Sequence, residues 1–268
     1  MKIYYGKAIY DKNEILLEKG THLTPEKISL CAAMGHKEVQ VFKPLKVAII
    51  STGDELRLPG ESLEKGEIYE SNTFGLSGLV SWLGHEPVRF PSVVDNLEQL
   101  RETLNSASKT CDVIITSGGV SMGDRDFVRK IMESEGNIDF WRIKVRPGSP
   151  PLFGTWKETP IFGLPGNPVS SHVVFRVLCG PWFRAQTNST QPIETKIKVK
   201  LDQDIKTVPG FITLRRIHLF DNGHEILATT KHHQGSGNIA SIALGEALTL
   251  LGPNDTGNKG DFCDALIL

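Results

Sequence analysis

Residues 116–127 read TSGGVSMGDRDF. This stretch follows the apolar run VII at residues 113–115 and precedes apolar residues at helical spacing, which predicts a strand, a turn and a helix. Gly118 and Gly119 let the backbone approach a ligand closely, and amide N–H groups at a helix start carry partial positive charge. We expect Asp124 to cap this helix and Asp126 to lie in its first turn. The stretch predicts a cradle for a phosphate or another oxyanion; the plainer interpretation is an ordinary strand-to-helix turn.

The composition is that of an ordinary soluble globular protein. Hydrophobic residues make up 39% of the 268 residues and charged residues 23%, and the formal net charge is −1. This charge argues against bulk electrostatic binding to nucleic acid or to an anionic membrane. No apolar run approaches the roughly 18 residues of a membrane span. The four cysteines form no CxxC pair, so we expect reduced thiols, no zinc site and a cytoplasmic location.

Strands and helices alternate on both sides of the glycine-rich stretch. We predict strands at residues 47–50, 87–94, 113–115, 140–145 and 161–164, and helices at 71–83, 97–104, 127–132 and 169–183. Because the strands are continuously apolar, we expect a mostly parallel sheet that is buried on both faces. Residues 45–186 are therefore predicted to form an α/β domain.

A polar, turn-rich segment at residues 184–190 marks a second domain boundary. Alternating patterns follow it, and Asn222-Gly223 between two of them is a strong hairpin signal. We assign residues 190–268 to a small all-β domain, a barrel or a sandwich. Residues 1–44 are too few for a domain, and we predict a helix from Pro25 and a strand at residues 39–41 in them.

Carboxylates follow three separate elements of the predicted sheet. Asp54 and Glu55 come after the first strand, and Asp95 ends the second. Asp126 lies beyond the turn that begins at Gly118 and Gly119, which we call the glycine turn. The carboxyl ends of parallel strands meet at one edge, where ligands of such sheets bind. Carboxylate oxygens there suit a magnesium ion bound to a phosphate ester. Each acid taken alone is also explained by a solvated or helix-capping position.

A basic turn, KVRPGSP at residues 144–150, is the second candidate site. Alternation along a strand would place Arg142, Lys144 and Arg146 on one face, where three cations repel one another unless an anion neutralises them. The prolines fix the turn and leave the Ser149 hydroxyl and nearby N–H groups available to a tetrahedral dianion or a phosphate. The alternative is an edge strand that basic residues keep soluble.

The third candidate is the loop GLPGNPVSS at residues 163–171. Two glycines and two prolines make a rigid entry to a helix, with Asn167 and Ser170 as donors at the helix start. A plain helix entry explains the same pattern. His172, His232 and His233 show no catalytic or metal-ligand spacing and receive no role.

Five motifs together resemble those of MoeA-type molybdopterin molybdenumtransferases, the MoeA/gephyrin E-domain family. In order they are STGDEL (51–56), GEIYESN (66–72), TSGGVSMGDRDF (116–127), KVRPGSP (144–150) and GLPGNPVS (163–170). Gly235-Ser236-Gly237 and Lys259-Gly260-Asp261 are similar to elements of that family's C-terminal domain. The resemblance covers residues 6–268 and implies a three-layer αβα molybdopterin-binding domain followed by a β-barrel.

The resemblance also implies a reaction in which molybdate is inserted into adenylylated molybdopterin and AMP is released, with Mg²⁺ as cofactor. It implies that Asp126, Asp95 and Glu55 are catalytic, with Asp126 and Asp95 also holding the metal. The substrate-binding residues that it implies are Asp54, Gly118, Gly119, Ser121, Lys144, Arg146, Ser149, Asn167 and Ser170. Of these, Gly118, Gly119 and Ser121 would hold phosphate, and Lys144, Arg146, Ser149 and Ser170 would receive molybdate.

Members of this family carry an N-terminal region with a SAMDGYA-like motif ahead of the part present here. We therefore expect residues 1–44 to be a remnant of the linking region. In the family, that N-terminal region supplies an acid to the active site and much of an elongated dimer. Two arrangements therefore stay open, a homodimer of this chain and a complex with a separate N-terminal partner chain. A molybdopterin-binding module without turnover and a gephyrin-like scaffold also stay open, whereas the β domain argues against an enzyme that adenylylates molybdopterin.

Overall fold

The structure is a computed structural model that describes residues 3–5, 8–10, 14–121, 123, 126–187, 189 and 194–268. It divides into two compact units, Pro44–Pro181 with Ile193–Leu268, and Met1–Lys43 with Trp182–Pro192. In the smaller unit, β1 (Ile3–Tyr5) pairs antiparallel with β2 (Ala8–Tyr10), and α1 (Pro25–Ala33) confirms the predicted helix. No strand forms at residues 39–41, so that prediction was wrong.

The α/β part of the larger unit contains short strands and helices in alternation. Its strands are β3 (Lys46–Ser51), β4 (Leu56–Arg57), β5 (Ile68–Tyr69), β6 (Glu86–Arg89), β7 (Val113–Ser117), β8 (Asn137–Trp141), β9 (Val145–Arg146), β10 (Leu152–Trp156) and β11 (Thr159–Leu164). Its helices are α2 (Asn72–Trp82), α3 (Leu97–Thr110), α4 (Phe127–Glu135) and α5 (Pro168–Val174). A π-helical turn, Phe175–Cys179, and α6 (Gly180–Gln186) follow.

Six of these strands form one mostly parallel sheet in the order β6-β3-β7-β11-β10-β8. The pairs β3–β6, β3–β7 and β7–β11 are parallel, whereas β10 is antiparallel to both of its neighbours. The central strands are continuously apolar because both faces are covered, as the sequence predicts. The predicted α/β class is confirmed.

Helices cover the two faces of the sheet and complete three layers. One core joins Ala48, Ile50 and Ile114 of the sheet to Leu100 and Leu104 of α3 and to α4 residues. On the opposite face α2 packs on β3 and α5 on β11. Within the described ranges, none of the helices has both the length and the apolar character that crossing a membrane requires.

The C-terminal part forms a closed five-stranded barrel in the order β12-β15-β14-β16-β17. Its elements are β12 (Lys196–Leu201), β13 (Ile212–Thr213), β14 (Arg216–Asp221), β15 (Ile226–Thr229), α7 (Ile239–Ala243), β16 (Ala247–Leu250) and β17 (Phe262–Ile267). The hairpin predicted at Asn222-Gly223 joins β14 to β15 and is confirmed. Closure leaves no open sheet edge in the ring of strands.

The barrel and the α/β part share backbone pairing and a core inside the larger unit. β13 pairs in parallel with β9, so Ile212 lies opposite Val145 and Thr213 opposite Arg146. A buried cluster contains residues of both parts: Val145, Val169, Val173, Leu214, Ile242, Leu248 and Leu266. The two parts therefore hold each other in a fixed arrangement.

Two predicted strands differ from those observed. The strand expected at residues 140–145 ends at Trp141, because Arg142 has a φ of 76°, outside the extended region. Arg142, Lys144 and Arg146 thus do not share one face of a single strand, and that expectation was wrong. The strand expected at 87–94 ends at Arg89, and β10 was not predicted.

Candidate functional site

A cavity of about 390 Å³ lies where the glycine turn, the basic turn and the barrel meet. From the α/β part it is lined by Gly119, Val120, Ser121, Asp126, Arg146, Pro147, Gly148, Ser149, Pro150, Pro165, Gly166, Asn167 and Ser170. From the barrel part it is lined by Val208, Arg215, Gln234 and Ser236. All three candidate motifs of the sequence therefore contribute to one concave surface.

The glycine turn depends on two residues with positive φ. Gly118 has a φ of 100° and Gly119 a φ of 69°, values that glycine adopts without steric cost. A Cβ atom on Gly118 would lie 2.8 Å from the Thr52 carbonyl oxygen, so the turn packs directly on the end of β3. The Gly118 N–H donates to the Leu164 carbonyl at 2.9 Å. These contacts fix the start of the turn between β3 and β11.

Asp126 borders the cavity at the start of α4. It is the residue that precedes the helix, not a first-turn residue as predicted, and Asp124 lies outside the described residues. Its side chain makes no capping bond to the helix; its Oδ2 atom instead accepts a hydrogen bond from the Gly123 N–H. The carboxylate therefore faces back toward the glycine turn.

The basic turn contributes Arg146 and Ser149 to the lining of the cavity. The Arg146 guanidinium lies 4.7 Å from the centroid of the Phe211 ring, a cation–π contact with the barrel part. The Ser149 hydroxyl donates to the Ile143 carbonyl at 3.1 Å, so it already has one acceptor. In the described part of the chain no acceptor faces the N–H groups of Gly148 and Ser149.

The loop before α5 forms the floor of the cavity. Ser170 is 3% exposed, and Asn167 immediately precedes the helix. The Asn72 side-chain amide donates to the Gly166 carbonyl at 2.7 Å and to the Ser117 hydroxyl at 2.8 Å. The GEIYESN motif therefore positions this loop through Asn72.

The barrel residues of the cavity were not among the predicted site residues. Burial lowers the pKa of Arg215, whose Nε and Nη2 atoms donate to the Lys206 carbonyl at 3.1 and 2.8 Å. Burial also lowers the pKa of Arg216 to about 10, and its Nη2 atom donates to the Gly235 carbonyl at 3.1 Å. The resemblance at Gly235-Ser236-Gly237 was the available signal, but only the fold shows that this loop reaches the cavity.

Five predicted site residues lie outside the cavity lining. Among the described residues, the lining includes none of Asp54, Glu55, Asp95 and Lys144. Asp54 and Asp95 instead meet each other, since the Asp54 Oδ1 atom accepts a hydrogen bond from the Asp95 N–H at 2.9 Å. Gly118 does not line the cavity either, but it supports the adjoining turn.

Magnesium binding by Asp126 and Asp95 stays a prediction. Across the described ranges, no group of three or more His, Cys, Asp or Glu side chains has an arrangement that could hold a metal ion. The Asp95 backbone N–H donates to the Asp54 carboxylate, and the Asp126 carboxylate accepts from the Gly123 N–H.

Comparisons with known proteins identify the family. A family model described as "Probable molybdopterin binding domain" matches residues 48–185, just over half of the chain. The chain belongs to the molybdopterin-binding domain family. The resemblance deduced from the five motifs is confirmed.

Several relatives of this chain extend the match. It is 39% identical over 170 residues to the molybdopterin molybdenumtransferase of Haemophilus influenzae, covering 63% of this chain and 42% of the relative. It is 34% identical over 256 residues to that of a Nostoc species, covering 93% and 58%. A crystal structure of the molybdopterin biosynthesis moeA protein from Pyrococcus horikoshii matches with a TM-score of 0.80 at 28% identity, covering 96% of this chain and 62% of that one. The chain thus spans about half the length of the curated relatives it matches.

Proposed function

We propose that this protein acts in molybdenum cofactor biosynthesis as a molybdopterin molybdenumtransferase, which inserts molybdate into adenylylated molybdopterin and releases AMP. The observation that carries the proposal is the meeting of the glycine turn and the basic turn on one cavity. Relatives at 34% and 39% identity that bear this enzyme name support it. A cytoplasmic location and magnesium dependence complete the expected profile, although no step below depends on the metal.

The cavity matches the charge of the proposed substrates. Molybdate is a tetrahedral dianion, and Arg146 and Arg215 place two cations on the cavity wall beside Ser149 and Ser170. Charge-assisted hydrogen bonds are the strong ones, and in a partly buried site they are screened less by water. We assign molybdate to this side of the cavity, with Arg215 in the role predicted for Lys144.

The opposite side of the cavity suits the phosphate groups of adenylylated molybdopterin. The backbone at residues 119–121 offers amide N–H groups, the donors that phosphates use at glycine-rich turns. Asp126 is the carboxylate at this side and is placed to accept a proton during AMP release. Asp54, Glu55 and Asp95 remain proposed contributors at the neighbouring sheet edge.

The proposal is tested by measuring AMP release from adenylylated molybdopterin by the purified chain, with and without molybdate. We expect release that depends on molybdate and is lost in Asp126→Asn, while Asp139→Asn in the exposed part of β8 serves as the matched control. Absence of AMP with the folded wild-type chain, magnesium included, would contradict the enzyme. Calorimetric binding of molybdopterin without turnover would instead favour the binding module.

The proposed partners are these small molecules and a second protein chain. The resemblance implies a homodimer or an N-terminal partner chain that completes the site. Light scattering of the purified chain, alone and mixed with such a partner, distinguishes the two arrangements.

A further inference from the structure

Two residues behind the glycine turn, Arg129 and Trp141, donate hydrogen bonds to three successive carbonyl groups of that turn. The Gly119 carbonyl accepts from the Arg129 backbone N–H at 3.0 Å, and the Val120 carbonyl accepts from the Trp141 Nε1–H at 2.9 Å. The Ser121 carbonyl accepts from the Arg129 Nη1 atom at 3.2 Å. In the described part of the chain, neither Arg129 nor Trp141 lines the cavity. Both act on the turn from outside.

Because the peptide group is planar, hydrogen bonds to its carbonyl also fix the direction of the N–H group on the other side of the peptide bond. In a planar trans peptide the carbonyl of one residue and the N–H of the next point in opposite directions. The bonds to the Gly119 and Val120 carbonyls therefore turn the N–H groups of Val120 and Ser121 away from α4 and β8, toward the cavity that these residues line. Within the described ranges these two N–H groups have no acceptor.

The charge of Arg129 is already engaged by other groups. Its Nε atom lies 3.2 Å from the Glu133 carboxylate, one helical turn further along α4. Its guanidinium also lies 4.7 Å from the centroid of the Trp141 ring, and the Arg142 guanidinium lies 4.4 Å from the same ring. Arg129 and Trp141 thus form one packed pair, with Arg129 oriented toward the turn and not toward a bound anion.

We propose that Trp141 is a positioning residue that, together with the Arg129 backbone N–H, aims the Val120 and Ser121 amides at the phosphate groups of the substrate. This inference rests on the proposed function for the identity of the anion. Because the amides contact phosphate groups in the ground state and in the transition state alike, losing their alignment raises KM and leaves kcat nearly unchanged.

The test uses Trp141→Phe, which keeps an aromatic ring and removes one indole N–H. Trp156→Phe is the matched control, since the Trp156 Nε1–H donates to the Asn105 Oδ1 atom at 3.1 Å, far along the sheet from the turn. We expect Trp141→Phe to raise KM for adenylylated molybdopterin about three- to tenfold, the effect of one hydrogen bond, with kcat within about twofold. Equal KM values for Trp141→Phe and Trp156→Phe would overturn the inference.

Hydrogen–deuterium exchange separates this inference from the proposed function. If the wild-type chain releases no AMP, the proposed function fails, and exchange of the peptide spanning residues 117–121 still reports on the turn. Faster exchange of that peptide in Trp141→Phe than in Trp156→Phe supports the positioning role. Equal exchange in both variants and the wild type overturns it.

Discussion

Arg146 and Lys144 stand two residues apart in one basic turn, but they occupy different positions in the structure. Both side chains are exposed, but Arg146 borders the cavity, whereas Lys144 lies outside the cavity lining. The difference arises because Arg142 leaves the extended conformation, which ends the strand and its simple alternation. Residue type and spacing alone could not show this.

Substitution at these two positions should separate their roles. Arg146→Gln is expected to lower kcat/KM for AMP release about 10- to 100-fold, because it removes a charged hydrogen-bond donor worth about 1.5–3 kcal/mol. Lys144→Gln should change kcat/KM by less than about twofold, as substitutions of exposed side chains usually do. Steady-state kinetics of both variants provides the check. A Lys144 variant as impaired as the Arg146 variant would contradict the placement of the anion.

Gly118 provides a stability prediction at the glycine turn. Its φ is 100°, and an added Cβ would lie 2.8 Å from the Thr52 carbonyl oxygen. Gly60 has nearly the same φ, 99°, but an added Cβ would meet nothing within 4 Å, which makes Gly60→Ala the matched control. Gly118→Ala should lower the free energy of unfolding by about 1–3 kcal/mol more than Gly60→Ala, measured by urea denaturation. Equal losses would show that the turn is not tightly packed.

Among the secondary-structure elements, the central parallel strands and the helices were predictable, whereas the antiparallel strand β10 and the bounds of the edge strands β6 and β8 were not. β3, β7 and β11 follow from continuous apolar runs, since burial on both faces selects that pattern. β10 was missed because its residues alternate between buried and half-buried positions, next to a proline-rich turn. Arg215 and Gln234 line the cavity because the barrel closes, and no local sequence pattern predicts this placement.

His172 in α5 makes stability depend on pH. Burial, and secondarily the nearby Arg176, lower the pKa of His172 below the ordinary value of 6.5. A Cβ atom on Gly75 of α2 would overlap the His172 ring, so the two helices leave the imidazole no room to move. As the pH falls, the unfolded chain binds a proton at His172 more readily than the folded protein does, and this favours the unfolded state. The contribution of neutral, buried His172 to the free energy of unfolding is therefore present above about pH 6.5 and is lost as the pH falls.

The pH prediction is tested with His172→Gln. The free energy of unfolding of the wild type should fall between about pH 7 and about pH 5, and it should fall less steeply in the variant. His85 keeps a share of the effect in both proteins, because burial lowers its pKa and its Nδ1 atom accepts from the Leu45 N–H at 3.3 Å. Identical pH profiles of the two proteins would exclude a contribution from His172.

For the whole molecule, the α/β part and the barrel should unfold together. The cluster that contains Val169, Val173 and Leu214 belongs to both parts, and β9 pairs with β13. Leu214→Ala should cost about 2–5 kcal/mol, as truncation of a buried leucine does. It should lower the unfolding midpoint seen by Trp141 and Trp156 fluorescence and the midpoint of barrel amide exchange by equal amounts.

The matched control for this prediction is Leu244→Ala, because Leu244 is 57% exposed. That variant should leave both midpoints nearly unchanged. Two separate transitions in the wild type, or a shift confined to the barrel, would show that the two parts are energetically independent. The cavity between them would then not be a fixed site.

The central claim is that the glycine turn and the basic turn form one site for the anions of the reaction. The most direct test is to locate bound molybdenum in the structure. Crystals soaked in molybdate should give an anomalous molybdenum peak inside the cavity, beside Arg146 and Ser149 and facing residues 119–121. A peak beside Asp54 and Asp95, or on the outer surface with the cavity empty, would contradict the account.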